Sequence, residues 1–157
     1  MIGVRVALAL AAVAMFWNIS PSFAKDDMSC RLLEVRASND EGGLDPALKA
    51  LASKFEKPPF SSWKTFKLLK EHKGKVEHKK TMKVSMVTGG LFSLLHRGAT
   101  ASAKKTPRLR LTFTLDDKTG KRKLDGTINV DAGDYYLIGG DRLKDGGTYV
   151  LAVSCSL

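Results

Sequence analysis

Three histidines in the mature part of the chain, His72, His78 and His96, are the first residues that could do chemistry. Two or more imidazoles converging with carboxylates would hold a divalent metal. Their flanks are cationic instead: Lys70, Lys73, Lys79 and Lys80 surround the first two, and Arg97 follows the third. Like charge opposes a divalent cation, so exposed surface histidines and no metal site are expected. Seven aspartates, Asp116, Asp117, Asp125, Asp131, Asp134, Asp141 and Asp145, crowd the C-terminal third. Glycoside hydrolysis needs two carboxylates held across a cleft. These seven fall in predicted turns or at strand ends, where Asp bonds nearby backbone amides. A small hydrolase using them is therefore the weakest functional expectation, and no catalytic residue is assigned. H-E-x-x-H, G-x-S-x-G and a phosphate-binding glycine loop are absent from the sequence, and no cofactor is expected.

The two cysteines, Cys30 and Cys155, have no C-x-x-C spacing and no neighbouring histidine. In an oxidising compartment a lone pair bridges, and a disulfide between them would join a first strand to a last one.

The most informative chemistry is positive charge. The chain of 157 residues has 26 Lys and Arg against 16 Asp and Glu. Residues 64–110 hold thirteen of the basic residues against Glu71 and Glu77 alone, while the rest of the chain beyond residue 24 is slightly acidic. Lys64, Lys67, Lys70, Lys73, Lys75, Lys79, Lys80, Lys83, Arg108 and Arg110 are the candidate contacts for an anionic ligand. Such density attracts acidic polysaccharide, lipid headgroups or nucleic acid. Nucleic acid is disfavoured, because Phe92 is the only aromatic between Lys67 and Arg110 and base stacking needs aromatics interleaved with the charges. A solvated face that merely keeps the protein soluble is the competing reading.

The elements that must position these residues are mostly strands. Met1–Ala24 has the charged, apolar and small-residue regions of a secretory signal peptide, with cleavage expected after Ala24. The apolar run is too short to span a bilayer, so residues 25–157 are expected as one exported β-rich domain, periplasmic or extracellular, not transmembrane after cleavage and with an outer-membrane association left open. Residues 28–38 suggest a strand. Asp45 then caps a helix opened by Pro46, with Leu48, Leu51, Ala52 and Phe55 at helical spacing and Pro58-Pro59 as the stop. Further strands are expected over Trp63–Lys70, with a break near Lys73-Gly74, and over Lys79–Val87. Leu91–Thr100 reads as helix or strand. Leu109, Leu111, Phe113 and Leu115 alternate strictly with polar residues and mark a half-buried strand. Three more strands follow, at about 124–130, 135–138 and 148–154. The fold class is α+β, mostly β: an antiparallel sheet or sandwich of about seven strands with one N-terminal helix.

The run Thr127-Ile128-Asn129-Val130-Asp131-Ala132-Gly133-Asp134-Tyr135-Tyr136-Leu137-Ile138-Gly139-Gly140 resembles a strand–turn–strand found late in bacterial secretins. The chain is also similar to small exported bacterial β-rich proteins of unknown function. The shared features are a short helix after a leading strand, the Trp63–Leu69 strand, and a final hairpin ending Gly146-Gly147 through Leu151-Ala152-Val153-Ser154. What the resemblance implies is an envelope protein acting as an interaction or accessory domain of a secretion- or pilus-like assembly, without catalysis. Binding of anionic polysaccharide or lipid through residues 64–110 is the alternative.

Overall fold

The computed structural model describes residues 27–102 and 106–157, so the expected signal peptide lies outside the described residues, as do Lys104 and Lys105. Eight antiparallel strands form two four-stranded sheets. The strands are β1 (Met28–Ser38), β2 (Thr65–Val76), β3 (Thr81–Ser85), β4 (Leu91–Thr100), β5 (Arg108–Asp116), β6 (Arg122–Asp131), β7 (Tyr135–Arg142) and β8 (Thr148–Ser156). The first sheet has the order β2-β1-β8-β7 and the second β3-β4-β5-β6. The mostly-β architecture is as expected, with eight strands in place of about seven. Leu91–Thr100 is a strand, and β2 runs through Gly74 without the expected break.

Burial explains the two kinds of strand pattern. On β1, Met28, Cys30 and Leu32 enter the core between the sheets, while Leu33, Val35 and Ala37 enter a second core on the outer face of the first sheet. β8 behaves likewise, with Leu151, Val153 and Cys155 inward and Val150 and Ala152 outward. Central strands buried on both faces must be apolar throughout, so period-2 alternation disappears there. β5 keeps it, because Leu109, Leu111 and Phe113 face the core and Arg108 and Arg110 face solvent.

The outer core is closed by the helical segment between β1 and β2. A 3-10 helix (Pro46–Leu51) runs into a single turn of α-helix, α1 (Ala52–Phe55), and buries Leu48, Leu51 and Phe55. The Asp45 carboxylate accepts from Ala47 N and also from Leu68 N on β2, pinning the helix start to the sheet. Those two amides hold the Asp45 carboxyl below the usual carboxylate range. Phe55 stacks on Phe66 of β2, with ring centroids 3.9 Å apart.

Cys30 and Cys155 lie directly opposite each other on β1 and β8, with Cα atoms 4.1 Å apart, and they are joined by a disulfide. Strand pairing alone brings them within bridging range. Among the described residues, no helix is long and apolar enough to cross a membrane.

Candidate functional site

β2 and β3 are edge strands of different sheets, joined by the tight turn at residues 77–80, so they run side by side along one flank of the sandwich. Between them lies an open groove of about 580 Å³ that gathers Lys70, Lys73 and Lys75 from β2 and Lys83 from β3. Gly74 permits the close approach. A methyl group there would lie 2.6 Å from Met82 Sδ across the groove.

The acid lining the groove is already neutralised. Glu71 Oε1 accepts from Arg31 Nε at 2.6 Å and lies 3.2 Å from Lys73 Nζ, and these two cations hold its carboxyl below the usual range. The groove therefore keeps a net positive field.

The other expected contacts divide by position. Lys79 and Lys80 occupy the turn at one end, where Lys80 pairs with Glu77. Lys64 and Lys67 stand at the opposite end of β2, beside the helical segment. Arg108 and Arg110 project from the outer face of the second sheet on β5, two strands in from β3, which is about 10 Å at ordinary strand spacing. One groove thus collects four of the ten expected residues, and the arginines belong to a different face.

Glu34, assigned no role by the sequence reading, is completely buried on β1 in the layer between the sheets. Its carboxylate accepts from His72 Nε2 at 2.6 Å, Val87 N at 2.8 Å and the Tyr149 hydroxyl at 3.0 Å. Burial and the Glu34 charge push the Tyr149 phenol well above the ordinary tyrosine range. His72 also lines the groove, so this network ties the groove wall to the core. The signal for it in the sequence is a lone acid in the apolar run Leu32-Leu33-Glu34-Val35. A charge survives in such a strand only when it is partnered.

The histidines correct the expectation of exposure. His96 is completely buried and points into the core from β4, and His72 and His78 are half-buried. Cationic sequence neighbours misled because adjacent strand residues face opposite ways. The rings of His78 and His96 meet edge to face with centroids 5.4 Å apart. Burial first, and the His78 charge second, lower the pKa of His96 below its ordinary value.

The aspartates are only partly dispersed. Asp116, Asp117, Asp141 and Asp145 line one cleft of about 680 Å³ built by the β3–β4, β5–β6 and β7–β8 connections. Asp125, Asp131 and Asp134 do not line it. Asp116 pairs with Arg122, Asp145 with Arg36 at 2.6 Å, and Asp141 with Lys123 at 3.5 Å. Asp117 accepts from Thr119 and Lys121 within its own turn, which lowers its pKa. Asp145 is lowered by Gly147 N and Arg36. A general acid needs its pKa raised, and the two aspartates of this cleft with a resolved shift, Asp117 and Asp145, are lowered.

Comparison with protein-family models, curated proteins and solved structures finds no match to this chain.

Proposed function

We propose that the protein is an exported envelope domain that binds a linear anionic polysaccharide along the β2–β3 flank. The observation that carries this reading is the groove itself, whose lining includes Lys70, Lys73, Lys75 and Lys83 and one acid, Glu71, that is already paired. The groove is lined by residues 70–75 of β2 and 82–85 of β3, so its lysines follow two strand edges, a path that a linear polymer can track. Export rests on the N-terminal signal-like sequence and agrees with the Cys30–Cys155 bridge.

Retention on an immobilised sulfated glycan tests it. Affinity should fall steeply with salt, with a log–log slope on the order of −3 for four lysines if counterion release on the glycan resembles that on nucleic acid. Replacing Lys70, Lys73, Lys75 and Lys83 together by Gln should abolish retention, whereas Arg108→Gln with Arg110→Gln should leave most of it. Salt-independent retention would overturn the reading, and preference for vesicles of anionic lipid over the glycan would reassign the groove to a membrane.

A second reading, docking in a secretion- or pilus-like assembly, has one observation in its favour. β7 is the other edge of the first sheet, and its Tyr135–Gly140 stretch carries no charge. Lysine-rich edges such as β2 discourage strand addition, so β7 is where a partner strand would pair. A proline at Leu137 that abolished capture of an envelope protein would support this reading, and unchanged capture would refute it.

A further inference from the structure

The strand ladders slip register in four places, and three of the slips surround the cleft that Asp116, Asp117, Asp141 and Asp145 share. On β1 and β2, Glu34 pairs with Lys70 and Val35 with Leu68, so Leu69 has no partner. On β5 and β6, Leu115 pairs with Leu124 and Asp116 with Arg122, so Lys123 is skipped. On β7, Gly140 and Asp141 together stand opposite Tyr149. The bulged strands β2, β6 and β7 are all edges, where bulges are common and re-aim side chains. What calls for a reason is that Leu69, Lys123 and Asp141 all line one cavity. A Cβ on Gly140 would lie 2.7 Å from Tyr149 Cδ1, so the β7 bulge closes on that ring only as glycine.

The cavity is apolar where it meets the core. Leu115, Leu143 and Tyr149 line it and also pack against the inter-sheet core. Leu69 and Val87 extend the apolar lining outward, 40% and 46% exposed. Val87 is held in place by its backbone, since its N–H donates to the buried Glu34 carboxylate at 2.8 Å. Large apolar side chains gathered exposed in one concavity mark a ligand site, and about 680 Å³ suits a small molecule.

Its rim is charged, and the acids there are already engaged. Asp116 pairs with Arg122, Asp141 with Lys123 and Asp145 with Arg36, while Asp117 bonds within its own turn. Arg36 and Arg122 stand outside the lining, so these pairs draw on cations the cavity does not itself supply. Lys118, Arg142 and Lys144 line it too, and among the described residues no acid pairs with them. The charge left uncommitted at the rim is therefore positive.

We infer that this cleft binds a single-chain amphiphile with an anionic head, a free fatty acid in the first instance. The alkyl chain lies on Leu69, Val87, Leu115 and Leu143, and the carboxylate meets the rim that carries Lys118, Arg142 and Lys144. A peptide would bring backbone amides that the apolar inner part leaves unmet, at a cost an alkyl chain does not incur. The site shares no lining residue with the β2–β3 groove and does not depend on the glycan reading.

Calorimetric titration of the full chain with dodecanoate, kept below its micelle-forming concentration, tests the site. One equivalent should bind, and dodecanol and dodecyltrimethylammonium should bind at least about tenfold more weakly, for want of a charged hydrogen bond. Leu69→Gln with Val87→Thr should weaken dodecanoate by about tenfold. Both side chains are exposed, so that variant should melt as the wild type does. Lys118→Gln with Lys144→Gln should weaken dodecanoate and leave dodecanol unchanged. Replacing Lys70, Lys73, Lys75 and Lys83 by Gln should leave dodecanoate binding intact, which separates this site from the groove. No saturable one-to-one uptake, uptake unchanged by Leu69→Gln with Val87→Thr, or tighter binding of an apolar peptide ending in a carboxylate would overturn the assignment.

Discussion

Tyr149→Phe isolates the energetics of the buried Glu34 carboxylate. The substitution deletes one hydroxyl and keeps the ring, which is 3% exposed and packed in the inter-sheet core. That hydroxyl donates to Glu34 Oε2 at 3.0 Å. A hydrogen bond to a charged group contributes about 1.5–3 kcal/mol, and Glu34 is completely buried. Stability should fall by about 2 kcal/mol, or about 4–8 °C in Tm at 2–4 °C per kcal/mol for a chain of this size. Urea and thermal unfolding with the disulfide intact would measure it. Glu34→Gln supplies the second arm of a double-mutant cycle. Because the two groups touch, their effects should couple by about 1–2 kcal/mol. There is also a pH signature. The folded phenol is raised above its unfolded value, so its contribution is complete below the unfolded pKa of about 10 and is lost as pH rises beyond it. The gap between wild type and Tyr149→Phe should therefore narrow above about pH 10. A change under about 0.5 kcal/mol, or strict additivity with Glu34→Gln, would refute the claim that a charged, partnered Glu34 is held there.

The bridge closes a loop of 125 residues, and replacing both cysteines by Ser should cost about 5 kcal/mol in the chain-entropy model, read from denaturant midpoints. Glu71, Asp45, Asp117 and Asp145 all have depressed folded pKa values. Their contribution is present above the unfolded value near 4 and is lost as pH falls through the folded ones, so stability should drop below about pH 4, and Glu71→Gln should flatten that slope. Gly74→Ala crowds Met82 and should cost about 1 kcal/mol with weaker glycan retention. Adding Met82→Ala should restore retention, which a thermal melt and a salt-elution profile together would show.

The parts of the fold legible in the sequence are those where one face is wet. β5 could be read residue by residue because Arg108, Arg110 and Thr112 alternate with a buried leucine and phenylalanine row. β4 could not, since Phe92, Leu94 and His96 face the core while Leu91 and Leu95 are also half-covered, and both periods fit such a run. The helix start was readable from Asp45 and Pro46, but its first six residues wind as a 3-10 helix, a distinction apolar spacing does not encode. The basic segment announced itself by density. Which four lysines share a groove depended on β2 and β3 becoming edges of different sheets, a topological fact carried by no local pattern. Glu34 and the His78–His96 pair were hidden for a similar reason. Their partners lie on other strands, at separations of 38 residues for Glu34 and His72 and 115 for Glu34 and Tyr149.

The clasp between β1 and β8 also governs how the domain would carry tension. A pull applied to the chain on the far sides of Cys30 and Cys155 passes from one sulfur to the other. Neither sheet lies on that route, and neither does the groove or the histidine pair. In a force-extension experiment the oxidised domain should add almost no length before the covalent bond itself yields. After reduction, β1 and β8 can be peeled apart and the intervening chain should pay out. The bridge would act as a mechanical bypass that keeps the β2–β3 flank slack while the chain on either side of the two cysteines is strained.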